Sequence, residues 1–253
     1  NFWRPPTDND YGADLPKEMQ HWRTAGQETS LIDMQSASGD SNEIERIVHV
    51  ALAIGHLGGK LALKYRLSAS GLRIDACWRP DEPTIAPPRI GFTCTLKGGY
   101  QNVEWYGRGP HESYIDRHDS ARIGRYGGTI SEQTFKYVRP QENGNKHATR
   151  WMALTASGTT LPGLCFRALS PTPELDMQCH HFPMHAFDGS PDKSQQIVLH
   201  GLELVETNET SVCVDAKHMG VGGVNTWGAK PLPQYMISGN QPCEWSFQLE
   251  PFE

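Results

Sequence analysis

Hydrophobic and polar residues alternate along much of this chain, and a period of two predicts β-strands. Between Lys60 and Leu67, leucine or tyrosine stands at every second position, with lysine, alanine or arginine in between. After the turn residues 68–71, the alternation resumes over residues 72–76. Two such runs around a short Ser/Gly turn predict a β-hairpin with one half-buried face.

Six further runs have the same strand character and are separated by turn residues, since the chain has 25 glycines and 18 prolines. Many short strands with almost no helix are typical of a β-sandwich. The pattern therefore predicts an all-β fold built as a large antiparallel β-sandwich. The six predicted strands are residues 89–96, 151–155, 163–168, 197–204, 211–214 and 245–249.

One segment near the start has the spacing of a helix instead. Leu15, Met19 and Trp22 fall at i, i+4 and i+7, with a proline in the first turn and a glycine just past the end. We therefore expect one short N-terminal helix over residues 15–23, with Asp14 in position to cap it.

Two stretches lack a clear period. Residues 100–144 are rich in Gly, Arg, Asp and Tyr, and a segment of that length is expected to be functional or to form a large surface loop. Residues 2–12 carry two prolines, which hold the backbone extended, and polar side chains that can bond nearby amides. Because the chain also starts without methionine, we expect residues 1–12 to be a connection from an upstream domain.

Composition narrows the classes of partner. The 253 residues allow one large all-β domain or two ordinary ones. The formal charge of −6 gives no basic patch for nucleic acid. No apolar run reaches the roughly 18 residues that a membrane helix needs. We therefore expect neither nucleic acid nor a membrane as partner, and the sequence leaves the compartment, cytoplasmic or periplasmic, unassigned.

The six cysteines are spread along the chain without a C-x-x-C pair, and several lie in apolar, strand-like runs. That distribution predicts buried free thiols more readily than a disulfide framework. The Cys179-His180-His181 sequence lacks a second ligand cluster at a spacing that suits zinc. We expect no metal and no cofactor in this chain.

Four segments carry motifs in a fixed order. Residues 2–12 form an aromatic, proline-rich and acidic opening, and residues 105–117 fit the pattern W-x-G-x-G-P-x-E-x-Y-x-D-R. Residues 137–144 fit Y-V-x-P-x-E-x-G, and residues 218–227 fit H-M-G-x-G-G…W. Together the four segments resemble the small-chain, C-terminal domain of bacterial β-galactosidases of glycoside hydrolase family 2.

The resemblance implies a sandwich of the galactose-mutarotase-like type that spans residues 1–253 as one domain. It implies that the acid/base and nucleophile glutamates belong to an upstream TIM-barrel domain, so this chain alone is expected to be inactive. The implied substrate is a β-galactoside such as lactose, bound by the full-length enzyme, and a homo-oligomer is compatible with the family. Any need for Mg²⁺ or Na⁺ would lie in other domains.

Hydrolysis of a glycoside normally uses two carboxyl groups that flank the bond, and no sequence signal pairs two of them here. Asp8 and Asp10 are explained by turn chemistry. Glu112 and Asp116 stand beside arginines, so ion pairs and loop hydrogen bonds account for them better than catalysis. Glu142 is the stronger candidate for a functional carboxylate, with a turn-stabilising role as the alternative.

Histidines raise a different hypothesis, because imidazole titrates near neutral pH and can interconvert sugar anomers with a carboxylate. The candidates would act with Glu142, but residues 180–185 have the pattern of a strand end or turn. Two alternatives to a β-galactosidase domain therefore stay open: a free-standing sugar-binding module and an aldose 1-epimerase (mutarotase)-like enzyme. The candidate histidines are His180, His181, His185 and His218.

Trp227 is the residue most suited to touch a sugar. It follows three glycines that permit a sharp loop, and a Lys-Pro-Leu-Pro segment then stiffens the far side. An indole offers a flat apolar face to the C–H side of a pyranose. The alternative is a tryptophan buried between sheets, as expected for Trp78 and Trp245. The resemblance favours sugar contact by Trp227, with Asn225 beside it, where some relatives have an acidic residue.

Overall fold

The computed structural model describes residues 1–38, 46–55, 58–83, 85–158, 160–188, 200–225 and 227–253. Of these residues 46% lie in strands and 11% in helices, which confirms the all-β class. In this described part, no helix has the length and hydropathy needed to cross a membrane. The strands are β1 Thr29–Ser38, β2 Arg46–Ile54, β3 Lys60–Ser68, β4 Gly71–Arg79, β5 Arg89–Leu96, β6 Tyr100–Gly109, β7 Arg122–Thr129, β8 Lys146–Thr149, β9 Trp151–Ala156, β10 Gly163–Leu169, β11 Leu175–His180, β12 Thr210–His218 and β13 Cys243–Phe252.

The strands form two antiparallel sheets that pack as a sandwich. The large sheet has the order β1-β2-β3-β4-β13-β10-β9-β6-β7, and the small sheet has the order β5-β12-β11-β8. Phe92 on β5 and Phe247 on β13 join the sheets with ring centroids 5.2 Å apart. The core between them is apolar and includes Trp78, Trp105, Leu154, Phe166, Met177, Val212 and Val214.

Most of the strands predicted from alternation are confirmed. The predicted hairpin is β3–β4, with Leu67 opposite Leu72 and the turn closed at Gly71, whose φ of +125° suits glycine. Strand β5 has the predicted bounds, and β9, β10, β12 and β13 contain the predicted runs and extend beyond them.

The predicted strand at residues 197–204 is wrong where it can be assessed. Residues 197–199 lie outside the described residues, and Gly201–Glu203 is a 3-10 turn. The Glu203 carboxylate accepts a hydrogen bond from the His200 backbone N–H at 3.2 Å. A local side-chain contact of this kind competes with strand pairing.

The unpatterned stretch 100–144 contains two strands, β6 and β7, in addition to loops. Glycines hid the alternation. A Cβ placed at Gly107 would lie 2.8 Å from the Thr149 Cα, so only glycine allows this close approach. Strands β1, β2, β8 and β11 were likewise missed by the sequence pattern.

The predicted helix over residues 15–23 is instead two short helices, α2 Leu15–Glu18 and α3 Trp22–Ala25, preceded by α1 Asp8–Gly12. Asp14 lies in the left-handed region at φ 59° and makes no side-chain cap. Helix α1 begins where Thr7 and Asp10 form a reciprocal capping box. Tertiary packing places Trp22, because its ring meets Trp78 edge-on at 5.9 Å.

The two central strands of the small sheet, β12 and β11, are buried on both faces over most of their length. Strand β11 is buried at all six positions, although apolar and polar residues alternate along it. Leu175, Met177 and Cys179 belong to the apolar positions, with Met177 fully buried in the core. The opposite face carries buried polar side chains that we call the polar layer: Arg89, Glu142, Gln178, Asp215 and His218. This layer lies behind the segments that carry the sequence motifs.

Candidate functional site: an exposed tryptophan on an anchored glycine-rich loop

The glycine-rich loop, residues 219–230, leaves the end of β12 and carries the most exposed large side chain of the motif segments. Met219 and Val221 are buried at its base, whereas Trp227 is 90% exposed. The chain has seven tryptophans, and four of them are at most 3% exposed: Trp22, Trp78, Trp105 and Trp245. Trp227 is therefore not a core tryptophan, as Trp78 and Trp245 are.

A buried arginine near the start of the chain holds the base of this loop. Arg4 donates hydrogen bonds to the Met219 carbonyl at 2.6 Å and to the Gly220 carbonyl at 3.0 Å. The same guanidinium is paired with the Asp10 carboxylate at 2.9 Å, and both side chains are buried. One ion pair thus fixes residues 1–12 to the loop, more than 200 positions away.

The loop's next turn rests on Asp116. Its two carboxylate oxygens accept hydrogen bonds from the Val221 N–H at 3.0 Å and the Gly222 N–H at 2.8 Å. From the other side, the Asn9 amide donates to the Val221 carbonyl at 3.0 Å. Gly222 and Gly223 have φ of 73° and 95°, which other residues rarely adopt. The glycines let the backbone reverse, and the polar side chains fix the reversal.

The tip of the loop is ordered by Asn225. Its side-chain oxygen accepts hydrogen bonds from the Trp227 N–H at 2.8 Å and the Ala229 N–H at 3.4 Å. Beyond the tip, Gly228 at φ 84° lies against helix α1, because a Cβ there would come within 2.5 Å of the Gly12 carbonyl oxygen. Lys230 then pairs with Glu18 at 2.6 Å. The oxygen of Asn225 thus serves the loop itself.

Glu142 lies inside the protein, in the polar layer. Its carboxylate is 3.1 Å from the Arg89 guanidinium, which also pairs with Asp215 at 3.1 Å. Gln178, with its amide oriented to satisfy both partners, donates to Glu142 at 2.7 Å and accepts from Arg89 at 3.3 Å. Burial raises the pKa of Glu142 despite the nearby arginine. This geometry favours the structural alternative for Glu142, because its side chain is fully buried.

The histidines of the mutarotase hypothesis are placed differently from one another. His180 is buried and bonded to the Thr134 hydroxyl and the Asn143 carbonyl, and burial lowers its pKa to about 3. His218 contacts Arg89 in the polar layer, and burial lowers its pKa well below the usual value. Both rings are therefore neutral near pH 7. His181 bonds the Glu209 carbonyl at 3.1 Å, and His185 lies in the 3-10 turn Met184–Phe187.

The remaining acidic side chains of the motif segments are engaged by protein groups. Glu112 pairs with Arg117, accepts from the Tyr137 hydroxyl at 2.5 Å and accepts from the Gly144 N–H at 2.7 Å. Asp8 is held by Gln141 at 3.0 Å. In the described residues, no group of three or more His, Cys, Asp and Glu side chains could hold a metal ion. The contacts of the motif segments thus fix the glycine-rich loop and leave the Trp227 indole exposed.

The structure thus brings together the four motif segments that are distant in sequence. Residues 2–12 contact residues 219–222 through Arg4 and contact residues 137–144 through Asp8. Residues 105–117 contact the loop through Asp116. The sequence analysis identified Trp227 but missed the anchoring roles of Arg4 and Asp116. In the sequence, the position of Arg4 and Asp116 within motif segments was the one feature that marked them.

Comparison with protein families agrees with the resemblance of these segments. A family model described as Beta galactosidase small chain matches residues 1–249. The chain belongs to that family.

Individual relatives agree with this assignment. The chain is 33% identical over 256 residues to a β-galactosidase of Priestia megaterium, covering 99% of this chain and 23% of the relative. It is 31% identical over 253 residues to a β-galactosidase of Streptococcus thermophilus, with the same coverage, 99% and 23%. The chain therefore spans about a quarter of the length of these relatives.

Solved structures are similar only in part. A galactose mutarotase-like protein from Lactobacillus casei shares 13% identity, covers 87% of this chain and 73% of its own, and gives a TM-score of 0.38. A GH36 α-galactosidase from Geobacillus stearothermophilus shares 9% identity, covers 89% and 28%, and gives 0.43. Both TM-scores are below 0.5, so the fold assignment rests on the strands and sheets of this chain alone.

Proposed function

We propose that this chain is the C-terminal domain of a family 2 β-galactosidase that hydrolyses terminal β-D-galactosides such as lactose. Its membership in the small-chain family supports this, and so does its span of about 23% of relatives named β-galactosidase. In this proposal residues 1–253 form one domain of galactose-mutarotase-like type. Residues 1–12 connect it to a catalytic TIM barrel upstream, against which it packs.

The domain's contribution to the reaction is the wall of a sugar subsite formed by Trp227. The observation that carries this role is the 90% exposure of an indole whose loop is fixed by the buried Arg4 and the partly buried Asp116. A ligand that covers this ring would remove its apolar surface from water, which favours binding. A flat indole face suits the apolar C–H side of a pyranose, and its N–H is left to hydrogen bond.

The two other predicted contacts have more limited parts in this proposal. Asn225 positions the Trp227 backbone through its oxygen, so a sugar would meet its amide nitrogen. Glu142 supports the site from inside the protein without contacting the sugar, because its buried carboxylate pairs with Arg89. The proton-transferring carboxylates are supplied by the barrel, in keeping with the two-carboxylate mechanism of glycosidases.

The first test concerns the chain by itself. Without the two barrel carboxylates, the 253-residue chain should not hydrolyse nitrophenyl β-galactoside above buffer background, since their loss costs orders of magnitude in rate. Turnover that co-purifies with the chain through several columns, and persists in a strain lacking other β-galactosidases, would overturn the assignment of catalysis to another domain.

The second test concerns Trp227 in the full-length enzyme. Trp227→Ala should weaken substrate binding by roughly 1–3 kcal/mol, or about fivefold to somewhat over a hundredfold, because the ring's apolar contact with the sugar is lost. Loss of uniform binding raises KM and leaves kcat largely intact. Steady-state kinetics on a nitrophenyl galactoside measure both constants.

Matched variants separate contact from stability. Trp227→Phe keeps a flat ring and should recover much of the affinity, whereas Leu31→Ala removes a 61% exposed apolar side chain from edge strand β1 and should leave KM unchanged. Trp227→Ala should keep the melting temperature, because an exposed ring adds little to stability. An unchanged KM with a large fall in melting temperature would assign Trp227 to packing instead.

A further inference from the structure

A cavity lies apart from the tip of the glycine-rich loop, where β8 and β11 meet the segment 233–243. This cavity has a volume of about 620 Å³, within the roughly 300–1,000 Å³ typical of small-molecule sites. Its lining combines apolar side chains such as Ile115 and Ile237 with a few polar ones, including His147, Asp176 and Tyr235. No sequence motif pointed to it.

Two polar side chains of the lining form an oriented pair. The Nδ1 atom of His147 is 2.8 Å from the Asp176 carboxylate, which also accepts from the Asn145 amide at 3.1 Å. A carboxylate only accepts hydrogen bonds, so Nδ1 carries a proton. Although burial lowers it, the bond to Asp176 raises the pKa of His147 above its usual value. Among the described residues, no protein atom bonds Nε2. The pair therefore fixes the ring and leaves its second nitrogen, on a residue that lines the cavity, unbonded.

The backbone beside this pair is held in an unusual conformation. Ala148, which also lines the cavity, has a φ of +53°, a region that residues with a Cβ rarely adopt. The Arg150 side chain donates to the Ala148 carbonyl at 2.5 Å, and the Ser113 hydroxyl accepts from the His147 N–H at 3.1 Å. Such strain persists only where surrounding contacts over-determine it, and it clusters at ligand sites.

The charges of the lining indicate what kind of ligand fits. Each carboxylate of the lining has a basic partner: Asp176 pairs with His147, Glu174 with Arg150 and Glu244 with Arg79. The remaining charged side chain of the lining, Lys217, is exposed to solvent, so neither an anion nor a cation is favoured. A neutral ligand with several hydroxyl groups and an apolar face matches the mixture of polar groups and isoleucines.

We propose that the cavity lined by His147 and Asp176 binds a neutral pyranose sugar, with a sugar hydroxyl hydrogen-bonded to Nε2 of His147. This site goes beyond the Trp227 subsite and does not depend on it. Asp176 fixes the orientation of the ring, the isoleucines take the C–H face of the sugar, and Tyr235 adds a hydroxyl to the lining. Both D-galactose and D-glucose fit this chemistry.

The test uses the 253-residue chain and nuclear magnetic resonance of its histidine Cε1–H signals, with that of His147 assigned from its loss in His147→Gln. D-galactose and D-glucose should each shift this signal saturably, with a Kd on the order of 1–10 mM, as expected for so small a ligand. Trp227→Ala should give the same Kd, which separates this site from the proposed galactoside subsite.

Two variants make the outcome decisive. Gln234→Trp adds a bulky ring at an exposed position of the cavity lining and should weaken sugar binding at least tenfold while the fold is kept. His111→Gln removes an exposed histidine bonded to Ser120 and should change nothing. A His147 signal unmoved by 100 mM (roughly ten Kd values) of either sugar would overturn the proposal, as would an unaltered Kd in Gln234→Trp.

Discussion

The polar layer, on the face of the small sheet that points away from the core, and the glycine-rich loop are both built around a buried arginine. In the polar layer, Arg89 is placed between two carboxylates, Glu142 and Asp215, and all three side chains are inaccessible to solvent. In the loop, Arg4 has one carboxylate partner and spends its other hydrogen bonds on backbone carbonyls. The first arrangement neutralises charge, and the second positions a chain segment.

This difference explains why one region is a foundation and the other a candidate site. The charged side chains of the polar layer face one another away from solvent, so a ligand does not reach them from the surface. A backbone held by side chains can project an exposed residue such as Trp227 without losing order. In this protein, buried charge supports the surface that carries the proposed contact.

The largest effect is expected in the polar layer. Arg89→Met leaves two buried carboxylates without their cation and should lower the free energy of unfolding by about 3–5 kcal/mol. Urea denaturation of the 253-residue chain measures this. Arg79→Met removes an exposed arginine paired with Glu244, and it should cost less than about 1 kcal/mol. Equal losses in the two variants would remove the distinction between layer and surface.

The next effect is a dependence of stability on pH. The pKa of His180 is about 3 in the folded state and 6.5 in the unfolded state, so the unfolded state binds the extra proton between these values. The contribution of His180 to stability therefore falls by about 2 kcal/mol between pH 7.5 and 5.0, whereas the pKa of Asp215, which burial raises to about 7, acts in the opposite direction. His180→Gln should remove the first contribution, so its change in stability between the two pH values should differ from that of the unmodified chain by about 2 kcal/mol in urea titrations. The same change in both chains would contradict the prediction.

The smallest effect is expected in the loop. Asp116→Asn removes the charge and one of the two acceptors used by the Val221 and Gly222 N–H groups, and it should cost about 1–2 kcal/mol. Amide hydrogen exchange at those two residues should accelerate while exchange in β11 stays slow. Asp119→Asn, at a fully exposed carboxylate nearby, is the control. Unchanged exchange at Val221 would show that other contacts hold the loop.

Alternation predicted the fold well where one face of a strand is apolar and the other meets solvent or polar side chains. It worked for β3, β4 and β5. In β11 apolar residues alternate with Asp176 and Gln178 as well, but the polar face is buried, which alternation does not indicate. Buried polar residues look like surface residues in a sequence, because their partners come from distant segments. The same reason hid His147 and Asp176, whose pairing depends on the register of β8 against β11.

In the proposed site, too, local features are visible in the sequence and long-range contacts are not. The three glycines before Trp227 are a local signal, so the exposed indole could be predicted from sequence. The contacts that fix the loop are long-range: Arg4 lies 215 positions from Met219, and Asp116 lies 105 positions from Val221. Helix α1 was not predicted, because the two prolines before Thr7 favoured an extended backbone over residues 2–12.

The bond from Arg4 to Met219 also has a consequence for how the protein folds. Closing a loop of this length has an entropic cost that only the assembled sandwich can offset, because the two sheets bring the ends of the chain together. The glycine-rich loop should therefore become ordered after the sheets, as one of the last steps of folding. During synthesis, residues 1–12 can form their contacts with the glycine-rich loop only after nearly all the other residues of this chain have been made.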